Sequence, residues 1–365
     1  MRKIGVLLPQ SKAYPKLAKE FIKGLRLSQS ETNQYELKIE GIGYGNDAKQ
    51  SIDGIQKLVN QEQVDLVTGI VGHKGLSEVL DYIENIEETF IYSDLGATQP
   101  LDLSNRKGIY CNSMGLYDAT TLLGEHLISN NFLKIGTSTC YYESGYGFIK
   151  LMEDSIAGKG EFSGHFISPI NPRKNEAELM LDWYNSMNPD ALFAFHNGIF
   201  SEEHASFLSE NKLHEKVPIY SLPFSCEEDV VNKFPEVFND THCITSWYAD
   251  LNTNENTSFI NKYMETYGSK PTFFAVLGYE NGILINDFLQ NSNTFSTQKK
   301  EGPRGQIEFT TNTNRTNYKH YLYQLRHEKD TCTKAHIQIF KKEDISTKKV
   351  FKNNIPSWDN AYLCY

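Results

Sequence analysis

The chain opens with an apolar run that leads directly into an amphipathic helix. Residues 4–8 are almost continuously apolar, a pattern typical of a parallel strand covered on both faces. Leu17, Phe21 and Leu25 then recur every four positions, which places them on one stripe of a helix. The opening therefore predicts a βα unit.

The same alternation of strand and helix patterns continues in two series. The first ends near residue 112 and the second starts after Ser113. Alternation of this kind implies parallel sheets with right-handed crossovers, and so we predict two doubly wound α/β halves. Strands are predicted over 35–41, 64–72, 88–94, 108–112, 134–140, 161–168, 190–195, 217–222 and 243–249, and helices over 51–59, 75–86, 116–129, 147–156, 176–187, 202–211, 258–267 and 272–289. Short strand-like pieces follow over 305–310, 321–326 and 336–341.

Five ordered stretches resemble one known family. They are VDLVTGIVGHKG (64–75), SDLGATQP (93–100), ESGYGF (143–148), FFAVLGYENGILI (273–285) and GPRGQIEFTTNTNRT (302–316). With the opening IGVLLP, they resemble the leucine-binding-protein-like family of type I periplasmic binding proteins, whose usual wording includes SPxATNP and FAALGYDAVxLL. Five matches in order, spread over roughly residues 3–326, are far more specific than any single one.

The resemblance implies two doubly wound parallel-sheet lobes joined by a three-stranded hinge. The three crossovers are expected near residues 112–113, near residues 245–246 and between residues 309 and 318. Lobe one is then expected to hold residues 1–112 and 246–318, and lobe two residues 113–245 and 319–365.

Candidate ligand contacts in lobe one lie in the loops that follow strands, because ligands of open α/β sheets bind at the carboxyl ends of the strands. Ser11 and Tyr14 belong to the loop after the first strand. The resemblance assigns His73, Gly96 and Thr98 to the ligand carboxylate, and the His73 loop opens a helix whose free N–H groups favour an anion. The alternatives are a solvent-facing histidine at position 73 and an ordinary turn residue at position 98.

In lobe two, the resemblance assigns Tyr146 to the ligand, with a core aromatic residue as the alternative. Asn197 and Phe200 in HNGIF, and Phe224 in LPFSC, also follow strands. The family commonly places an acidic residue near Phe224 to pair with an α-ammonium, whereas here Glu227 comes slightly later. A buried ammonium without a carboxylate is heavily penalised, and so we expect a carboxylate or amide ligand with an apolar or aromatic part.

Composition and motifs exclude several other functions. The net charge of −10 disfavours nucleic acid, which requires a clustered basic face. No apolar stretch approaches the roughly 20 residues of a membrane helix, and so no membrane insertion is expected. The six cysteines contain no CxxC pair, and the GIGYGN stretch at 41–46 lacks the spacing of a dinucleotide fingerprint. We therefore expect no metal site, no cofactor and no enzymatic activity.

The leading hypothesis is a bacterial small-molecule binding protein that closes by hinge motion around an amino-acid-like, amide or carboxylate ligand. It resembles the substrate-binding proteins of ABC transporters, with an ABC permease as the partner. The alternatives are a cytoplasmic ligand sensor that controls a partner protein, a Rossmann-type enzyme, and a structural protein suggested by departures at Gly45 and Phe224. Because Arg2-Lys3 leads straight into a strand, no signal peptide is predicted, and a cytoplasmic location is expected. A periplasmic location would follow if a leader had been removed.

Overall fold

The described part of the chain forms two large β-sheets with helices packed against them, and one small two-stranded sheet. The computed structural model describes residues 1–29, 34–291, 294–295, 298–309, 314–328, 331–341, 358 and 360–365. We call the body around the first sheet lobe one and the body around the second sheet lobe two. The mostly parallel α/β architecture confirms the predicted fold class.

The sheet of lobe one is entirely parallel, in the order β2-β1-β3-β4-β5. Its strands alternate with helices along the chain, as the apolar pattern predicts. The elements are β1 (Arg2–Leu8), α1 (Leu17–Leu27), β2 (Tyr35–Gly41), α2 (Ala48–Gln56) with a π-helical turn (Lys57–Glu62), β3 (Leu66–Ile70), α3 (Leu76–Asn85), β4 (Phe90–Asp94) and β5 (Ile109–Ser113).

Lobe two contains a seven-stranded sheet in the order β14-β13-β10-β9-β8-β6-β7. Its β6 to β10 strands pair in parallel, whereas β13 pairs antiparallel with β10 and β14. The antiparallel pair differs from the wholly parallel prediction because β13 and β14 are two residues apart, too close for the crossover that parallel strands require. The elements up to β10 are α4 (Leu116–Ser129), β6 (Lys134–Cys140), α5 (Tyr141–Ser144), α6 (Phe148–Ile156), β7 (Glu161–Ser168), α7 (Glu176–Met187), β8 (Ala191–Phe195), α8 (Gly198–Asn211), β9 (Ile219–Ser221), α9 (Glu228–Lys233), α10 (Pro235–Phe238) and β10 (His242–Thr245). The later elements are α11 (Asn254–Tyr267), α12 (Phe273–Gln290), β11 (Lys300–Gly302), β12 (Gly305–Ile307), β13 (His320–Glu328) and β14 (Thr331–Phe340).

Both faces of each sheet are buried at its central strands. In β1, Val6 and Leu7 belong to different apolar clusters, and in β8, Leu192 and Phe193 do the same. Because successive side chains of a strand point to opposite faces, each sheet is covered on both sides. Continuous apolar strands are the sequence counterpart of this arrangement.

Helices α1 and α12 pack unusually closely in lobe one. A Cβ atom at Gly24 would lie 1.9 Å from the carbonyl oxygen of Ala275, and one at Gly278 would lie 2.0 Å from that of Phe21. Only glycine allows the two backbones to meet at this distance. This contact fixes the late helix α12 to lobe one.

A buried arginine connects helix α12 with the ends of β5 and β10. Arg304 is 1% exposed and pairs with Glu280 of α12, with its Nε 2.9 Å from Oε2 of Glu280. Its Nη1 donates to the carbonyl oxygen of Ser113 at 2.7 Å and to the hydroxyl of Ser246 at 3.4 Å, and its guanidinium stacks 3.7 Å from the ring centroid of Tyr318. Ser113, Ser246 and Tyr318 each lie at or near one of the three predicted crossovers. Residues 310–313, which belong to the third predicted crossover, fall outside the described residues. The division of the chain between the lobes remains a prediction.

None of the helices that the structure describes is both long enough and apolar enough to cross a membrane.

Candidate functional site

Loops at the carboxyl ends of strands in the two sheets face one another. The loops after β1, β2 and β3 come from lobe one, and those after β6, β8 and β9 come from lobe two. We call the space between these loops the cleft. It is the edge at which open α/β sheets bind ligands.

Tyr14 bridges the cleft from lobe one to lobe two. Its hydroxyl donates to Oε2 of Glu227 at 2.8 Å, and its ring packs edge-on against Phe224 with the centroids 5.9 Å apart. Burial raises the pKa of Glu227 to about 7, although the hydrogen bond from Tyr14 acts in the opposite direction. The two lobes are therefore in contact, and the cleft is closed.

His73 and Tyr146 form a second contact across the cleft. Their ring centroids are 6.5 Å apart at an interplanar angle of 77°. Burial lowers the pKa of His73 to about 4, and so the imidazole is neutral at pH 7. Its Nε2 is buried and has no hydrogen-bond partner in the described structure. On the other side, the hydroxyl of Tyr146 lies 2.7 Å from that of Tyr142.

The cleft is occupied by the chain itself. Residues 358 and 360–365, which we call the cleft segment, pass between the two sets of loops. From lobe one, the backbone N–H of Lys12 donates to the carbonyl of Tyr365 at 2.9 Å, and the hydroxyl of Ser11 donates to the carbonyl of Leu363. From lobe two, the hydroxyl of Tyr142 accepts from the N–H of Leu363 at 2.8 Å.

Tyr362 is the aromatic centre of the cleft segment. Its ring centroid lies 4.8 Å from that of Tyr146, 5.8 Å from that of Phe148 and 6.1 Å from that of Phe224. Its hydroxyl is 2.8 Å from each carboxyl oxygen of Glu143. The cleft thus provides an aromatic pocket with a carboxyl group at its end.

Glu143 is a buried carboxyl group held by neutral partners. It lies in α5 directly after β6, accepts a hydrogen bond from the side-chain amide of Asn197, and is 0% exposed. Burial raises its pKa to about 8, although the hydrogen bonds from Asn197 and Tyr362 lower it. The group is therefore largely protonated at pH 7, and it can accept from a hydroxyl through its carbonyl oxygen. A cation beside it would favour the ionised form.

The structure brings seven of the nine predicted ligand contacts to the cleft. Asn197 begins α8, and its Oδ1 accepts from the hydroxyl of Tyr365 at 2.9 Å. Phe200 lies in the first turn of α8 and not in the predicted loop, with its ring 6.2 Å from that of Tyr365. The seven residues are Ser11, Tyr14, His73, Tyr146, Asn197, Phe200 and Phe224.

The other two predicted contacts have their neighbours elsewhere. Gly96 has φ +70° and faces the segment that leaves β5, where the N–H of Tyr117 donates to its carbonyl at 2.7 Å. Thr98 is half-buried, and its hydroxyl donates to the carbonyl of Gln99 at 3.4 Å. Their role in ligand binding stays a prediction.

Sequence reasoning missed Glu143, Tyr142 and the cleft segment. Glu143 stands at the start of the ESGYGF stretch, in which the family resemblance points to the tyrosine alone. The cleft segment also carries a signal, because WDNAYLCY is rich in aromatic and apolar residues and follows a lysine-rich stretch. Glu143 and Glu227 both bring acidic side chains to the cleft. The expectation of a carboxylate or amide ligand, which rested on the lack of an acidic residue next to Phe224, stays a prediction.

A family model described as periplasmic binding protein matches residues 2–331 of the chain. No curated protein sequence matches it.

Three solved structures with the same fold illustrate the similarity, and each is distant in sequence. One is a solute-binding protein of an ABC transporter from Rhodopseudomonas palustris in complex with 3,4-dihydroxybenzoic acid, with 16% identity, a TM-score of 0.74, and coverage of 93% of this chain and 97% of that one. Another from the same species, in complex with p-hydroxybenzoic acid, has 15% identity, a TM-score of 0.76, and coverage of 93% and 97%. A branched-chain amino acid transporter substrate-binding protein from Streptococcus pneumoniae in complex with isoleucine has 16% identity, a TM-score of 0.68, and coverage of 92% and 99%.

Proposed function

The chain belongs to the periplasmic binding protein family, and on this premise we propose that it is the ligand-binding component of a bacterial ABC transporter. It closes by hinge motion around a small amino-acid-like, amide or carboxylate ligand. The observation that carries the proposal is the cleft itself, in which loops of both lobes meet through Tyr14 and Glu227. A ligand held there is enclosed by both lobes, and the closed shape is what a permease recognises.

The walls of the cleft favour a ligand with an aromatic ring and a hydroxyl group. Tyr146, Phe148 and Phe224 surround the ring of Tyr362, and Glu143 receives its hydroxyl. An aromatic ring gains about 25 cal/mol for each Å² that it buries against such walls. Two solved proteins of this fold bind hydroxylated benzoic acids, which is the same chemistry.

The carboxylate of such a ligand is proposed to bind near the start of α3. His73 precedes this ten-residue helix, and its unpartnered Nε2 is available to a ligand if that nitrogen carries the proton. Free N–H groups at a helix N-terminus favour an anion. Gly96 and Thr98 stay proposed contacts on the same lobe.

We propose that this cleft binds a ligand and does not catalyse a reaction. The family is one of binding proteins, and the alternative of a sensor that controls a partner protein has no support among the similar structures.

All six cysteines are free thiols, which favours a reducing compartment such as the cytoplasm. The family name favours the periplasm, and localisation of the tagged native protein in cell fractions decides between them.

Calorimetry with three ligands tests the proposed class. We expect 4-hydroxybenzoate to bind more tightly than benzoate, and both to bind more tightly than leucine. Substitution Glu143→Ala should remove most of the advantage of 4-hydroxybenzoate over benzoate, roughly tenfold, because the ligand hydroxyl loses its acceptor. The distant substitution Tyr267→Phe, which also loses one hydrogen bond, is the matched control.

A clear preference for leucine would contradict the aromatic class and would assign Glu143 to the ammonium group. Binding of none of the three would reject the proposed ligand class.

A further inference from the structure

The cleft segment occupies the place that a ligand of this protein would take. We propose that residues 360–365 are an internal ligand of the cleft, which an external ligand must displace. This inference rests on the proposed function, because it treats the cleft as a binding site.

The backbone of the cleft segment is held by both lobes, as a bound peptide would be. On lobe one, the carbonyl of Tyr44 accepts from the N–H of Ala361 at 3.0 Å, in addition to the bonds from Ser11 and Lys12. On lobe two, Tyr142 binds the N–H of Leu363. The segment therefore bridges the same loops that a ligand would bridge.

The side chains of the cleft segment are as buried as core residues. Ala361, Tyr362, Leu363 and Cys364 are between 0% and 5% exposed. Gly45 leaves room for this approach, because a Cβ atom there would lie 3.1 Å from Cβ of Ala361. A larger side chain at either position would compete for the same space.

Tyr362 reproduces the chemistry expected of the external ligand. It offers one aromatic ring to Tyr146 and Phe224 and one hydroxyl to Glu143. An external phenol that makes the same contacts must replace Tyr362, because the ring of Tyr362 takes the place beside Tyr146 and Phe224. Ligand binding and occupancy by the cleft segment are therefore mutually exclusive.

The covalent connection gives the internal ligand an advantage. An attached ligand competes at an effective concentration in the range of about 1 mM when its linker allows it to reach the site. The apparent affinity for an external ligand is reduced by the fraction of molecules whose cleft is free. Release of the segment should therefore raise the apparent affinity for an external ligand by the inverse of that fraction.

The test uses the full chain with the substitution Ala361→Arg, which places a long charged side chain beside Gly45 and leaves the pocket residues intact. Tyr362→Ala is the second variant, in case the first does not fold, and Tyr267→Ala on α11 is the matched control. The probes are a synthetic peptide with the sequence of residues 358–365, the same peptide carrying Y362A, and 4-hydroxybenzoate. Binding is measured by calorimetry, and release of the segment is measured as the rate of iodoacetamide labelling of Cys364, which is buried.

We expect faster labelling of Cys364 in both release variants and no change in the control. The peptide should bind the release variants, with roughly tenfold weaker binding for the Y362A peptide, and should not bind the parent chain detectably. The probe 4-hydroxybenzoate should bind the release variants at least about tenfold more tightly than the parent and should displace the peptide.

Two results would overturn the inference. One is rapid labelling of Cys364 in the folded parent chain, at the rate seen in denaturant. The other is failure of the peptide to bind either release variant. If the peptide binds and 4-hydroxybenzoate does not, the inference stands and the proposed ligand class fails.

Discussion

The hydroxyl of Tyr14 and the carboxyl of Glu227 join the two lobes across the cleft at a distance of 2.8 Å. The two residues are 213 positions apart in the sequence and belong to loops of different sheets. Their contact exists while the cleft segment fills the space beside them. A closed arrangement is thus compatible with occupancy of the cleft by the protein's own cleft segment.

Substitution Tyr14→Phe should favour opening of the cleft. It removes the hydrogen bond to Glu227 and leaves a partly buried carboxyl without this donor, at a cost of about 1–3 kcal/mol to the closed arrangement. We expect a larger radius of gyration by small-angle X-ray scattering and a lower affinity for 4-hydroxybenzoate. Tyr267→Phe is the control, since its hydroxyl donates to Lys23 far from the cleft. Unchanged scattering and affinity would show that the bridge contributes nothing to closure.

Between about pH 6.5 and 8, the stability of the closed protein should fall as the pH rises. Burial raises the pKa of Glu227 to about 7 and that of Glu143 to about 8, from an ordinary value of 4.5. The folded state then binds more protons than the unfolded state, and so the free energy of unfolding is highest below pH 4.5 as far as these groups are concerned. The stabilising contribution of the two carboxyls is lost as the pH rises through 7 and 8. The free energy of unfolding then decreases by up to about 1.4 kcal/mol per pH unit for each carboxyl.

Urea unfolding at several pH values measures this dependence. Glu143→Gln should flatten the upper part of the profile, because glutamine does not ionise. His73 acts at the other end, since its pKa is lowered to about 4 and its contribution is lost as the pH falls from 6.5 towards 4. A profile that rises between pH 6 and 9 would contradict the assignment of raised pKa values to the two carboxyls.

Arg304→Ala should destabilise the protein strongly. Both side chains of the Arg304–Glu280 pair are 0% exposed, and removal of one partner leaves a buried charge uncompensated. The expected loss is about 3–5 kcal/mol in the free energy of unfolding, measured by urea titration. The exposed pair of Arg326 and Asp240 offers the control, because Arg326→Ala should cost less than about 1 kcal/mol. Equal effects of the two substitutions would reject a structural role for the buried pair.

Thr98→Ala and Tyr146→Ala should have different effects. Both are expected to weaken binding of 4-hydroxybenzoate, by about 1.5–3 kcal/mol where a bond to a charged group is lost. Only Tyr146→Ala should also speed labelling of Cys364, because Tyr146 packs against Tyr362 whereas the hydroxyl of Thr98 donates to Gln99. Parallel behaviour of the two variants in both measurements would show that Thr98 contacts the cleft segment as well.

The periodicity of the chain predicts the α/β fold well, because parallel strands with two buried faces leave an unbroken apolar pattern. Helix α4 (116–129) has the predicted bounds, and β13 (320–328) lies where a strand was predicted but pairs antiparallel. Pairing direction depends on tertiary packing and on the length of the connection, and neither produces a pattern in the side chains of β13 itself.

The candidate site could be predicted only in part. Strand ends identify Ser11 and Tyr14 because the carboxyl edge of a parallel sheet collects its loops. Glu143 could not be recognised as a buried acid, since its burial depends on Tyr362, which is more than 200 residues away. Contacts between such distant parts of a chain have no local periodicity to reveal them.

The bond between Ser11 and Leu363 joins residues 352 positions apart, and it has a consequence for how the molecule is made. Contacts of large sequence separation form late, because a long loop must close before they contribute. The strands of both sheets precede residue 341, and so both sheets can form before the cleft segment docks between the lobes. Each folding molecule therefore passes through a period with an empty cleft, and a ligand present at that stage meets no competitor.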